Sequence, residues 1–470
     1  MTLAEFKDLI SSPNTLIPRI YTEYHNTCFD WKAFKEYNPK YHKVNSSVER
    51  PNKQIQVPDP SDPEGKRLMP HTVKKNRLPL PIQQLLVSRA TAFTTGGKLT
   101  YKAKPDGEKE QKLYDKILEI FRENKMNWKN TEIVRAMYSE TECAEIWYRK
   151  ESEVAGVYEW RSRICKPSDG YDLIPVFDEN GDLMAFGLGY KTKIAKEETQ
   201  HLDIYTTTEI RRHKKTNGRE WELVIVSEKL EATALAYGKI PVIYYNLNTT
   251  LWEIVQPLIE RLEFLLSNFA DTNDYSGSPI LFASGDIDGW SSKGEAGKVI
   301  QGKNGATIEY ITPDNATESI ELEKKMLVEF IFTGCQTPNI SFEAMKELGD
   351  VSGAALKRMM FDAHLKAKDL QDGKYGLGVQ RRCNFLTSAI PKVESEYKGG
   401  ERLEITPEFG YFQIDDELER IENAQKANGG LPVVDHKTSI QMAGLTDDAD
   451  GTLDLINKQK QPDEIIDIVE

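Results

Sequence analysis

The stretch TLWEIVQPLIERLEFLLSNF (residues 250–269) sets the fold. Leu251, Ile254, Val255, Leu258, Ile259, Leu262, Leu265, Leu266 and Phe269 recur at i, i+3, i+4 and i+7 spacing. Glu253, Glu260, Arg261 and Glu263 fall mostly on the other side, so the pattern predicts an amphipathic helix with one buried face. Thr250-Leu251-Trp252-Glu253 reads as a capping box, the threonine hydroxyl accepting a first-turn N–H and the glutamate reaching back to the cap N–H. At about 1.5 Å per residue, some 20 residues make a rod of roughly 30 Å, enough to cross a domain.

Working outward, Asp274–Ala316 is interrupted by Gly277, Gly285, Gly289, Gly294, Gly297, Gly302 and Gly305 around two β-like runs, Pro279–Ala283 and Ala306–Ile311. Helix does not persist through that composition, and a small strand-and-turn module is expected. A cap-like start at Asn315–Glu318 leads back into helix, with Ile320, Met326, Leu327, Phe330 and Ile331 on its apolar face. After a short polar break, Gly353–Leu370 is helical. Gly373, Gly376 and Gly378 interrupt the pattern before Val379–Ile390 resumes it; each interior glycine costs about 0.5–1 kcal/mol against alanine, which predicts a kink or a short break.

The chain of 470 residues has material for two to four domains and an ample core. With 29% charged and 39% hydrophobic residues it has the composition of a globular protein with large wetted surfaces. It lacks an apolar run of the roughly 18 residues that a membrane span needs. Met1–Ile10 already carries Glu5, Lys7 and Asp8, which is not a secretory pattern and places the chain inside the cell that makes it. Five cysteines, Cys28, Cys143, Cys165, Cys335 and Cys383, stand far apart without a Cys-x-x-Cys pair. Reduced thiols are expected rather than a disulfide framework or zinc site. A net charge of −13 speaks against a surface that seeks nucleic acid as a whole, but is compatible with DNA moving through a channel where tight phosphate binding would hinder it.

Taken in order, residues 1–45 are short helical pieces rich in aromatics (Tyr21, Tyr24, Phe29, Trp31, Phe34, Tyr37, Tyr41). A stacking platform for bases and packing on a neighbouring domain or subunit are both open, with packing the simpler reading. Residues 51–70, with Pro51, Pro58, Pro60, Pro63 and Pro70, read as an exposed loop or arm. Leu78–Phe93 is a helix ending at Gly96-Gly97, and Gln111–Glu123 a charged helix with a core face. From Ala144 to Tyr245 the periodicity is that of strands. Asn180-Gly181 and Asn217-Gly218 each predict a type I′ turn between antiparallel partners. Arg211-Arg212-His213-Lys214-Lys215 beside the second turn reads as a solvated hairpin tip in preference to a phosphate contact. Leu403–Phe412 is strand-like, Asp415–Asn428 helical, and the acidic end with Asp435, Asp447, Asp448, Asp450 and Asp454 is expected as small helices and a frayed tail.

Catalytic signatures are missing. Gly96-Gly97-Lys98-Leu99-Thr100 places Leu99 where a phosphate loop needs Ser or Thr directly after the lysine. Gly187-Leu188-Gly189 lacks the third glycine of a dinucleotide site and reads as a strand pair. The seven histidines show no His-x-x-x-His spacing, and His25 with Cys28 is a lone pair of ligand types. Asp286 and Asp288 have the chemistry to hold a divalent ion but are more simply turn residues. The expectation is therefore no enzyme, no cofactor and no metal, a carboxylate-dependent hydrolase being the weaker alternative.

Several segments in order carry a resemblance. They are Leu78–Tyr101; Gly238-Lys239-Ile240-Pro241-Val242-Ile243 with Asn246 and Asn248, followed by Val255-Gln256-Pro257-Leu258-Ile259; Thr337-Pro338-Asn339-Ile340 with Ser352-Gly353-Ala354-Ala355-Leu356; and Val434–Leu455 with His436-Lys437-Thr438 and Thr446-Asp447-Asp448. Together they resemble tailed-bacteriophage portal proteins of the siphovirus type. The resemblance implies an α+β portal fold with a β-rich wing, a helical stem, a small α/β clip and a helical crown, assembled as a ring, usually of twelve copies. On that pattern residues 1–249 are wing, 250–273 and 317–335 stem helices, 274–316 clip, 336–352 tunnel loop, 353–414 a long kinked helix with a wing strand, and 415–470 crown. It implies packaging and ejection of double-stranded DNA at the capsid vertex, and a virion component made in the host cytoplasm, the alternative being another phage head or connector structural component. The partners would be the terminase large subunit, a head-tail adaptor, and the major capsid and scaffolding proteins, with no membrane. Lys346 in the tunnel loop and Lys293, Lys298 and Lys303 in the clip are the candidates for weak phosphate contacts, and Leu258, Leu262 and Leu265 for stem packing.

Overall fold

The computed structural model describes residues 31–62, 66–153, 156–194, 197–207, 209–217, 220–224, 237–276, 280–288, 301–311, 317–340, 360–412, 417–430, 432–446 and 448–460. The fold is mixed α and β, and the chain divides into two units, residues 1–341 with 362–411, and 342–361 with 412–470.

The first unit begins with α1 (Trp31–Glu36) and an antiparallel ribbon of β1 (Lys53–Pro58) and β2 (Leu68–Val73). The proline-rich stretch expected as a loop or arm is thus exposed but paired, Pro70 being tolerated because β2 is an outer strand. Next come α2 (Ile82–Thr95), β3 (Leu99–Ala103), α3 (Glu108–Glu123) and α4 (Met126–Glu140). Helix α3 buries Leu113, Ile117, Ile120 and Phe121, the spacing of one helical face. Helix α4 was not anticipated. It buries Asn130, Ile133, Val134, Ala136, Met137 and Tyr138 around most of its circumference, so its sequence carries no amphipathic period.

The β-rich region follows: β4 (Glu142–Glu151), β5 (Tyr158–Cys165), β6 (Tyr171–Phe177), β7 (Leu183–Ile194), β8 (Glu197–Tyr205), β9 (Ile210–Thr216), β10 (Glu222–Val224) and β11 (Val242–Asn246). They form a five-stranded meander ordered β10-β9-β8-β7-β6 and a three-stranded sheet ordered β11-β4-β5. Asn180-Gly181 does connect antiparallel strands, but only Gly181 takes a positive φ, 83°. Asp178 organises the turn instead, its side chain accepting the N–H groups of Asn180 and Asp182, each at 2.9 Å. The turn is therefore a longer aspartate-led loop rather than type I′. Arg211–Lys215 is not a hairpin tip. It is β9 itself, where Arg211 lies 2.8 Å from Glu209, Arg212 3.7 Å from Asp203, Lys214 3.9 Å from Glu222, and Lys215 over the Trp221 ring.

Then come α5 (Gln256–Ser276), the hairpin β12 (Ile280–Asp288) and β13 (Gln301–Ile311), α6 (Thr317–Gly334), α7 (Phe361–Asp372), α8 (Lys374–Val393) and β14 (Ile405–Phe409), which pairs with β3. The β12–β13 ladder is longer than the two short runs expected, with a register shift between Ser284 and Asp286. Asp286 and Asp288 are therefore strand residues, not turn residues. The α7–α8 break falls at Gly373 alone, while Gly376 and Gly378 stay helical. Gly378 is required for a different reason: a Cβ there would sit 2.0 Å from Cε1 of Tyr245.

At that contact lies a fully buried ion pair. Arg382 of α8 donates from Nε to both oxygens of Glu145 at 2.9 Å and from Nη2 to Oε2 at 2.8 Å, and the Tyr245 hydroxyl donates to the same carboxylate at 3.0 Å. Burial opposes the charge on Arg382, but the Glu145 carboxylate overrides it and holds its pKa well above the ordinary value. The four described cysteines, Cys143, Cys165, Cys335 and Cys383, are unbridged and buried, in accord with reduced thiols. Burial pushes Cys165 up to about 11 and Cys335 and Cys383 up to about 12. Cys28 lies outside the described residues.

The second unit holds α9 (Glu417–Asn428), α10 (His436–Ala443) and α11 (Ala449–Lys460). Asp435 caps α10 by accepting the Thr438 N–H at 2.6 Å, the Ser439 hydroxyl donates to the Ala424 carbonyl at 2.8 Å, and Lys437 pairs with Asp450 at 2.7 Å. These contacts join three short helices too small to be stable alone.

Replacing Arg382 by leucine leaves the Glu145 carboxylate buried without its partner and is expected to cost about 3–5 kcal/mol of unfolding free energy. The double replacement Arg382→Leu with Glu145→Met should recover most of that loss in urea unfolding followed by tryptophan fluorescence.

Candidate functional site

The expected order of rod, β module and returning rod is found as α5, β12–β13 and α6. Helix α5 does not start at the expected capping box. Glu253–Val255 is one 3-10 turn, the helix begins at Gln256, and the Glu253 N–H goes to the Thr250 carbonyl rather than to its hydroxyl. The chain is fixed here before helix can begin, because Trp252 is fully buried and the Leu251 N–H donates to the Tyr138 carbonyl at 3.0 Å. As a result Ile254, expected on the buried face, is 71% exposed.

The rest of that face behaves as its period predicts. Val255, Ile259, Leu262 and Leu265 are buried, with Leu258 and Leu266 packed half-buried against them. Helix α6 runs antiparallel alongside: Gly334 lies against Val255 at one end, where a Cβ would come within 2.8 Å of Cγ1, and Arg261 donates to Glu323 at 2.7 Å further along. Leu327 and Ile331 of α6 point inward. Leu322, Met326 and Phe330, spaced i, i+4, i+8, form a second stripe that is 61%, 46% and 53% exposed.

The opposite face of α5 is not a solvated surface. Glu260, Glu263, Ser267, Asp271 and Asp274 make a polar stripe that holds residues 42–80. Glu263, expected in solvent, is 1% exposed and accepts at Oε1 from His42 Nδ1 at 2.6 Å and from the Leu80 N–H at 2.7 Å. Ser267 accepts the Leu78 N–H at 3.0 Å, and Asn268 and Asp271 accept the two ends of the Arg50 guanidinium at 2.7 and 2.6 Å. Asp271 also accepts the Asn76 N–H at 2.8 Å and pairs with Lys75 at 3.0 Å, while Asp274 accepts the Asn76 side-chain amide at 2.6 Å. Burial works to raise the Asp271 pKa, yet the Asn76 N–H, Lys75 and Arg50 outweigh it and hold the carboxyl below its usual range. The signal available in the sequence was the i, i+3, i+7, i+11 spacing of these acceptors, which a purely hydrophobic period overlooks.

His42 carries charge in this arrangement. Its Nε2 faces the Glu36 carbonyl at 2.7 Å and its Nδ1 faces the Glu263 carboxylate, so both nitrogens donate. Burial works against protonation, but the Glu263 hydrogen bond and charge, with Glu36, more than offset it and raise the pKa.

Of the candidate phosphate-contacting cations, Lys303 is in β13 opposite Asp286 in register, with its side chain outside the described set, and Lys293, Lys298 and Lys346 lie outside the described residues altogether. Among the described residues no cluster of three or more His, Cys, Asp or Glu is arranged to hold a metal ion, and no helix is long and apolar enough to cross a membrane.

A raised histidine pKa contributes stability that is fully present below the ordinary value of 6.5 and is lost as pH rises through the folded value. Amide exchange in residues 36–45 and at the Leu80 N–H is therefore expected to accelerate as pH rises through that window, after correction for intrinsic rates. His42→Gln should remove this pH dependence.

Among the solved structures similar to this chain are two whose matches each cover 78% of this chain and 90% of the other. They are described as the neck of an empty GTA particle computed with C6 symmetry, at 11% identity and a TM-score of 0.40, and the neck of a native GTA particle computed with C12 symmetry, at 10% and 0.39. No curated protein matches the chain. The family model described as phage portal protein, SPP1 Gp6-like, matches residues 32–464, and the chain belongs to that portal family.

Proposed function

We propose that this chain is the subunit of a closed ring at the capsid vertex through which double-stranded DNA is packaged and ejected. Membership of the portal family supports a portal or connector role. The single observation that carries the ring is the stripe Leu322–Met326–Phe330, an apolar surface left open on the second helix of an antiparallel pair. Such a stripe on a water-soluble chain calls for a protein partner, and in a ring of identical subunits every copy supplies one.

In this reading residues 250–273 and 317–335 are stem helices and 274–316 the clip. Residues 336–352 form the tunnel loop, 1–249 the wing, 353–414 a long kinked helix with a wing strand, and 415–470 the crown. The described end of the second stem helix is held in place: Arg89 donates to the Pro338 carbonyl at 2.9 Å and lies over the Phe332 ring, so whatever follows Ile340 starts from a fixed point. The net charge of −13 keeps DNA from adhering, while Lys293, Lys298, Lys303 and Lys346 offer brief phosphate contacts. Terminase large subunit, head-tail adaptor, and major capsid and scaffolding proteins are the partners this role requires.

Light scattering with negative-stain imaging tests the ring. Twelve chains of 53.5 kDa give a particle of about 640 kDa with a central hole, and the Leu322→Glu, Phe330→Glu variant is expected to stay near the monomer mass with an unchanged melting curve. Normal assembly by that variant would sink the role given to the stripe.

A further inference from the structure

The β1–β2 ribbon is a second uncovered surface with an apolar face. In its antiparallel register Ile55 lies opposite His71 and Val57 opposite Met69, so these side chains share one face with Val73. Met69 and Val73 are 39% and 38% exposed, and β2 is exposed along its whole length. A two-stranded ribbon of this kind is marginal in water unless its apolar face is covered. Its base, by contrast, is fixed. Arg50 at one root and Asn76 at the other are both bonded to Asp271 of α5, and the Arg77 guanidinium donates to the Arg50 carbonyl at 2.8 Å. The ribbon is therefore a projecting arm held at a set position on α5.

We propose that the ribbon of one copy lies across the Leu322–Met326–Phe330 stripe of the next copy. This rests on the ring reading and specifies which surfaces meet. A ring is built from heterologous contacts, in which two different patches of one chain face each other across every interface. The described residues include two such patches, and both are attached to α5: the ribbon to its polar stripe, α6 to its apolar one.

The ribbon is long enough to cover the stripe. Six residues of strand span about 20 Å, and the eight-residue separation of Leu322 and Phe330 spans about 12 Å of helix. Their charges agree too. The ribbon and its root carry Lys53 and Lys74, with Lys75 already paired to Asp271, and no carboxylate between 53–58 or 68–75, whereas the stripe is bordered by Glu318, Lys325 and Glu329, a net negative edge. An apolar face between the lysines selects a protein surface over a phosphate backbone.

The test places a photo-crosslinking amino acid at Val57 in the full chain, mixes isotopically light and heavy copies, and maps the products from assembled particles. Cross-links joining light to heavy peptides of residues 317–334 are expected. A companion variant, Val57→Glu with Met69→Glu, is expected to lower the assembled fraction at least tenfold while keeping the wild-type monomer's melting curve. Rings that form normally with this variant, or cross-links that stay within one copy or fall elsewhere, overturn the ribbon contact and leave the ring standing. A variant that assembles normally but retains less double-stranded DNA makes the ribbon a nucleic-acid arm and equally overturns it. Wild-type protein that remains a 53.5 kDa monomer defeats both the ring and this contact.

Discussion

A guanidinium with no access to water joins three elements from distant parts of the chain. Arg382 comes from α8, Glu145 from β4 and Tyr245 from β11, and their hydrogen bonds are made inside a core where, among the described residues, neither charge forms a second ion pair. Two ions removed from water gain little unless their geometry is complete. Here it is complete enough to specify one register: a shift of β4 by a single residue would turn Glu145 to the other face of the sheet and leave the arginine alone. The pair therefore acts as a registration device. It fixes the three-stranded sheet against α8, and Gly378 follows from it, since the helix must come close enough for the arginine to reach past the Tyr245 ring.

Helix α5 illustrates a different division of labour. Its apolar face joins α6 and the core, as any amphipathic helix would. Its acceptor face takes backbone N–H groups and cations from an extended segment that has no regular structure of its own between Asn76 and Pro81. Such a segment needs partners for its buried N–H groups, and a row of carboxylates and a hydroxyl at helical spacing supplies them one turn at a time. The helix is held from both sides along its length.

The order rod, β module, returning rod was legible in the sequence because each element advertises its own period. The apolar spacing from Val255 to Leu265 and from Leu327 to Ile331 is a local property, and the portal resemblance that followed from the segment order is matched by the family. What escaped has a common cause: residues whose environment is decided by distant chain. Glu263 reads as a solvent residue until His42 and Leu80 are folded against it. Helix α4 is buried on too many sides to show a stripe. Thr250 has the residues of a capping box beside it, but the Trp252 burial sets the backbone first. The Asn180-Gly181 turn was placed correctly and its geometry was not, because Asp178, two residues earlier, supplies the acceptor that defines it. The four lysines proposed to touch phosphate rest on the family pattern alone, since no local period marks them.

The buried thiols have a meaning beyond packing. A cysteine reacts with oxidants and disulfides through its thiolate, and burial keeps Cys143, Cys165, Cys335 and Cys383 protonated at any physiological pH. With those thiols chemically silent, the four described cysteines offer oxidants no ready route to sulfenic acid or to disulfides, and their resistance to air becomes a matter of fold rather than of redox maintenance.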